Sequence, residues 1–135
     1  LRLDGDRLVV HLVHCKFSKE RMPGARVKDL YELCGQAQRS VAWRGDLERL
    51  LEHLARREAK RRRAGQPSRF ERGSAAMLRR LHTRVHELVP EVTVFVVQPG
   101  LSRAQASNSQ LELLAVTEFY LRERAAVPLR VLASA

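Results

Sequence analysis

His14 and Lys16 end an otherwise apolar run, Leu8-Val9-Val10-His11-Leu12-Val13, and their spacing places both side chains on one face of a strand. From about Arg7 to Phe17 two sets alternate: Leu8, Val10, Leu12, His14 and Lys16 against Val9, His11, Val13, Cys15 and Phe17. An imidazole beside an ammonium at a strand end suits metal-assisted phosphodiester hydrolysis, the first as an ion ligand and the second to orient or deprotonate the attacking water. The plainer reading of the tripeptide alone is a lysine that snorkels to solvent next to a half-buried histidine.

Both sets are largely apolar, which predicts a strand in the interior of its sheet. Asp4-Gly5 just upstream is a hairpin dipeptide, so Leu1 to Leu3 is expected to end a preceding antiparallel strand. Pairing Leu3 with Asp6 puts the position opposite His14 upstream of Leu1. Asp4 and Asp6 lie too near the turn to face His14 and read as turn formers.

After the lysine come a loop from Phe17 to Gly24 and a helix carrying Val27-Lys28-Asp29-Leu30-Tyr31-Glu32-Leu33-Cys34-Gly35. Hairpin, His14-Cys15-Lys16 and this helix together resemble the PD-(D/E)XK nuclease superfamily, most closely its Mrr-type restriction endonucleases, over about the first 40 residues. The ending His14-Cys15-Lys16-Phe17-Ser18 resembles nuclease-like domains appended to bacterial superfamily 2 (DEAD/DEAH) helicases. The resemblance implies a restriction-endonuclease-like three-layer α/β core, a central mixed sheet flanked by helices, with a helical insert at about 45–89. It also implies a Mg2+ or Mn2+ ion bound by His14, the backbone carbonyl of Cys15 and an aspartate upstream of Leu1. Lys16 and His14 would be catalytic. Gln36 and Gln38 would support the site, and Lys19, Arg21, Arg26, Lys28, Arg39 and Arg44 would grip the DNA backbone. His14 replaces the carboxylate or glutamine usual in the family, which removes one anionic ligand for a hard cation.

Composition points toward a polyanion. Twenty-five Lys and Arg against fifteen Asp and Glu give a formal charge of +10 and a pI near 10.9. Basic residues cluster around the candidate site and again at Lys60-Arg61-Arg62-Arg63, where a helix C-terminus favours cations in any case. The 135 residues fit one domain, 1–135, expected to begin within the first hairpin and to belong to a larger polypeptide. No apolar run approaches the roughly 20 residues of a membrane span, and no signal peptide is visible, so a soluble cytoplasmic protein with no membrane partner is expected. Cys15 and Cys34 read as buried free thiols, and His82 with His86 as an exposed helix face lacking a third ligand.

The remaining elements follow from periodicity and caps. A helix over about 25–41 buries Val27, Leu30, Tyr31, Cys34, Ala37 and Val41; a second starts at N-cap Asp46 and runs into the basic block. Its charged far half is expected to project. A third spans 74–89. Val92 to Val97 reads as a fully buried strand, Ser109 to Glu112 as a capping box opening a helix to about Ala126, and Leu129 to Ala133 as a last strand. That helix's Leu111, Leu114, Val116, Phe119, Tyr120 and Leu121 are expected to pack on the sheet. Trp43 reads as a packing anchor.

Three functions remain in view: a metal-dependent DNA endonuclease acting on duplex DNA, possible as a homodimer; a nuclease fold that only binds nucleic acid; and a structural domain whose basic face is incidental. Tight binding without cleavage separates the second from the first.

Overall fold

The computed structural model describes residues 1–17 and 24–134. A short hairpin joins β1 (Arg2–Asp4) to β2 (Arg7–Cys15) with Asp4 opposite Arg7 and Leu3 opposite Leu8. The turn residues are therefore Gly5 and Asp6, and Gly5 takes the positive φ of +63° that the first central position of such a turn favours. This shifts the expected Leu3–Asp6 pairing, yet the position opposite His14 still falls upstream of Leu1.

β2 lies between β1 and β3 (Val89–Ser102), and β4 (Leu129–Ser134) completes a four-stranded sheet in the order β1-β2-β3-β4. The β2–β3 and β3–β4 pairs are parallel, so each needs a crossover. The first crossover carries α1 (Lys28–Arg39), α2 (Ala42–Gly45), α3 (Leu47–Arg63), α4 (Ala75–Thr83) and a 3-10 turn (Val85–Glu87). The second is α5 (Asn108–Ala125). The fold is thus α/β with a mixed sheet, and its helical hairpin, α3 and α4, occupies the region expected for an insert.

One face of the sheet carries the core. Leu8, Val10, Val94 and Val96 are fully buried against Leu30, Leu33, Cys34 and Ala37 of α1, Leu47, Leu50 and Leu51 of α3, Leu78 of α4 and Leu121 of α5. On the opposite face His11, Val13 and Cys15 are exposed, and Thr93, Phe95 and Val97 are half-buried. Among the described residues this second face is the more open of the two. β3 therefore alternates where full burial was expected, and the Cys15 thiol is exposed where a buried one was expected.

Several local readings need correction. Tyr31 points outward and Leu33 takes its place, because 30, 33, 34 and 37 form the tighter helical stripe. α4 stops at Thr83, where the Thr83 hydroxyl bonds back to the Arg80 carbonyl at 2.9 Å, so His86 sits in the 3-10 turn and β3 starts by Val89. The capping box of α5 belongs to Ser107 and Gln110, two residues earlier than expected. Gln110 is selected because its amide also donates to the carbonyls of Gly24 (2.9 Å) and Arg26 (3.1 Å), locking the chain where it enters α1. Leu111, Val116, Phe119 and Tyr120 are exposed, since only one stripe of α5 meets α1 and the sheet. The end of α3 does not project bare: Glu58 is buried and accepts from the Arg69 backbone at 3.3 Å.

Candidate functional site

Parallel strands present their carboxyl ends together, and ligands of α/β sheets gather at that edge. β2 ends there, anchored by the Lys16 N–H donating to the Val97 carbonyl at 3.3 Å, and α1 starts above it. Asp29 and Glu32 stand three residues apart on α1, hence on one side of the helix. Both meet the Lys16 ammonium: Nζ lies 3.2 Å from Asp29 Oδ1 and hydrogen-bonds Glu32 Oε2. The Glu32 bond, helped by Asp29, raises the Lys16 pKa above its ordinary value. Lys16 is therefore a standing cation.

Two residues back, His14 is half-buried under the last turn of α1. Its Nε2 lies 2.6 Å from Ser40 Oγ, while that hydroxyl donates its single hydrogen to the Gln36 carbonyl at 3.0 Å. With that hydrogen placed, Ser40 accepts from His14 in the Nε2–H tautomer. Burial lowers the His14 pKa from 6.5; the Gln36 side chain, which hydrogen-bonds the ring, opposes this, and the Arg39 guanidinium adds to it. The imidazole is neutral near pH 7. His14, Gln36, Arg39 and Ser40, with Ala42, Trp43 and Arg49, line a pocket of about 350 Å³.

The expected site residues divide accordingly. His14, Gln36 and Arg39 meet at the pocket, with Lys16 at its own acidic pair. Gln38 points away, its amide 3.4 Å from Thr117 Oγ1 on α5. Lys28 is exposed at the start of α1, Arg44 lies on α2, and Arg26 is half-buried with its carbonyl held by Gln110. Lys19 and Arg21 fall outside the described residues. Cys15 turns its thiol to the other face of the sheet, leaving only its backbone for a role here.

The donor chemistry tests the expected ion. Asp29 and Glu32 are hard oxygen donors already converging on one positive charge, so they suit Mg2+ or Mn2+ with the ammonium as its stand-in. His14 bonds Ser40 through Nε2, which leaves Nδ1 as its ring nitrogen for an ion. Among the described residues the group with metal-ligand spacing lies elsewhere, on the helical hairpin, where His82 Nε2 is 3.9 Å from Glu48 Oε1 and 3.8 Å from Glu52 Oε1.

Asp29 and Glu32 have no role in the sequence-based expectation, although their spacing after a lysine-ended strand is a readable signal. Ser40, Arg49 and the glutamate pair facing His82 carried no such signal, because their partners are distant in the chain. Comparison with protein-family models, curated proteins and solved structures finds no match.

Proposed function

We propose that this chain is a metal-dependent DNA endonuclease domain of restriction-endonuclease-like type, hydrolysing phosphodiester bonds at the carboxyl end of β2. The observation that carries the reading is the meeting of Lys16 with Asp29 and Glu32 at that edge. A Mg2+ or Mn2+ ion held by the two carboxylates, with the Cys15 carbonyl and an aspartate upstream of Leu1 as the further expected ligands, would supply Lewis acidity toward the scissile phosphate. Lys16 would orient or deprotonate the attacking water and offset the charge that builds on the pentacovalent transition state. Arg26, Lys28, Arg39 and Arg44, together with Lys19 and Arg21, would hold the backbone without reading sequence. The surrounding protein would be a larger helicase or defence polypeptide, and the setting cytoplasmic; no helix among the described residues is long and apolar enough to cross a membrane.

A specific observation favours a second reading, a nuclease fold that binds nucleic acid without cutting it. Lys16 is neutralised by two carboxylates, and His14 offers an imidazole where the resembled family has a carboxylate or glutamine. Nicking of supercoiled plasmid in Mg2+ or Mn2+, compared between the native chain and Lys16→Ala with DNA binding measured for both, decides between them. Nicking lost in the variant with binding retained supports the endonuclease. Binding by both with nicking by neither selects the second reading, and absence of binding removes both.

A further inference from the structure

The pocket behind His14 differs in chemistry from the Lys16 cluster beside it. No carboxylate lines it, whereas two guanidinium groups, Arg39 from the last turn of α1 and Arg49 from the first turns of α3, do. Neither pairs with an acid among the described residues. The remaining polar lining, a neutral imidazole with the Gln36 amide and the Ser40 hydroxyl, offers hydrogen bonds and no negative charge. Such a site attracts an anion, and forked guanidinium donors match phosphate oxygens.

Size and one aromatic ring narrow the anion. At about 350 Å³ the pocket exceeds a bare phosphate and reaches the lower range of small-ligand sites, roughly 300–1,000 Å³. Trp43 lines it, its backbone N–H donating to the Ser40 carbonyl at 3.0 Å and its indole 5.2 Å from the His53 ring. An indole ring beside two guanidinium groups is the pairing used to hold an unstacked base and its phosphate.

We propose that this pocket takes one nucleotide of a single-stranded or locally opened DNA segment, with its base against Trp43 and its phosphate between Arg39 and Arg49. That the occupant is part of a DNA strand rests on the endonuclease reading; the anion and base chemistry of the pocket does not. An intact duplex keeps its bases stacked and cannot fill it, so the strand entering the pocket must be single or flipped.

Trp43 is the only tryptophan in the chain, so its fluorescence reports the pocket directly. Metal-free protein is titrated with deoxythymidine, with its 5′-phosphate, with inorganic phosphate and with oligo(dT). Quenching is expected from the nucleotide and from oligo(dT), far weaker quenching from the nucleoside, and competition without quenching from inorganic phosphate. Arg39→Gln and Arg49→Gln, both at exposed positions, are each expected to weaken the two quenching ligands about tenfold with an unchanged circular dichroism spectrum. Equal affinity for nucleoside and nucleotide, or arginine variants that bind as the native chain does, overturns the proposal. Quenching by the free nucleotide alone overturns the strand assignment. Quenching without plasmid nicking removes the endonuclease and leaves the pocket; nicking without quenching does the reverse.

Discussion

The two halves of one face of β2 are built for different ends. Leu8 and Val10 have no exposed surface and sit in the shared core, whereas His14 and Lys16, on the same face farther along, bond to polar groups of α1 and its C-cap. Apolar packing fixes where the strand and α1 lie. The polar end is then positioned by packing it does not itself supply, so its residues can serve chemistry at little cost to folding.

The hardest break in that division is at the buried end. Leu8→Ala should destabilise the fold by about 2–5 kcal/mol, the range for a large buried aliphatic residue cut to alanine. The urea midpoint measures it. Nicking by the fraction that stays folded should be unchanged; activity lost before the fold is lost would show that the two halves are coupled.

Gln110 tests the link between them. It is almost fully buried, accepts from the Ser107 N–H at 2.9 Å, and donates to the carbonyls of Gly24 and Arg26 where the chain enters α1. Gln110→Ala leaves those buried partners unpaired and should cost about 1–3 kcal/mol. Here stability and nicking should fall together, because the start of α1 carries Asp29.

Lys16→Ala removes ion pairs that are partly open to solvent and contribute little to the fold. The urea midpoint should barely move while nicking drops by about a hundredfold or more. A large loss of stability would place Lys16 with the structural half of the strand.

The division also explains what the sequence made legible. The alternation of β2, the Asp46 cap of α3, the Leu47, Leu50 and Leu51 stripe and the final strand are local patterns, and each was readable before the fold was known. Misreadings came where a distant partner decided. Val92 to Val97 has the same composition whether one or both faces are covered. Ser107 and Ser109 fit a capping box equally well until Gly24 and Arg26 need Gln110. At the site, local spacing exposed His14 and Lys16, and would have exposed Asp29 and Glu32; Arg49 joins the pocket only because the fold brings the start of α3 beside Arg39.

The smallest effect concerns His14, where burial and Arg39 both lower the pKa from its ordinary 6.5. Above that value the ring is neutral whether the chain is folded or not, and its contribution to stability is independent of pH. As pH falls through 6.5 the unfolded chain takes up a proton that the folded chain resists, so the unfolded state binds more protons and stability declines. His14→Gln, whose amide can still donate to Ser40, should flatten this decline while leaving stability near pH 7.5 almost unchanged. Glu58 does not interfere: its hydrogen bond to Ser68 holds its carboxyl below 4.5, so it contributes only at lower pH. Urea midpoints for both proteins at pH 7.5, 6.5 and 5.5 give the comparison. Parallel curves would mean that the folded ring accepts its proton freely, and the polar end of β2 would then respond to acid by charging the pocket rather than by loosening the fold.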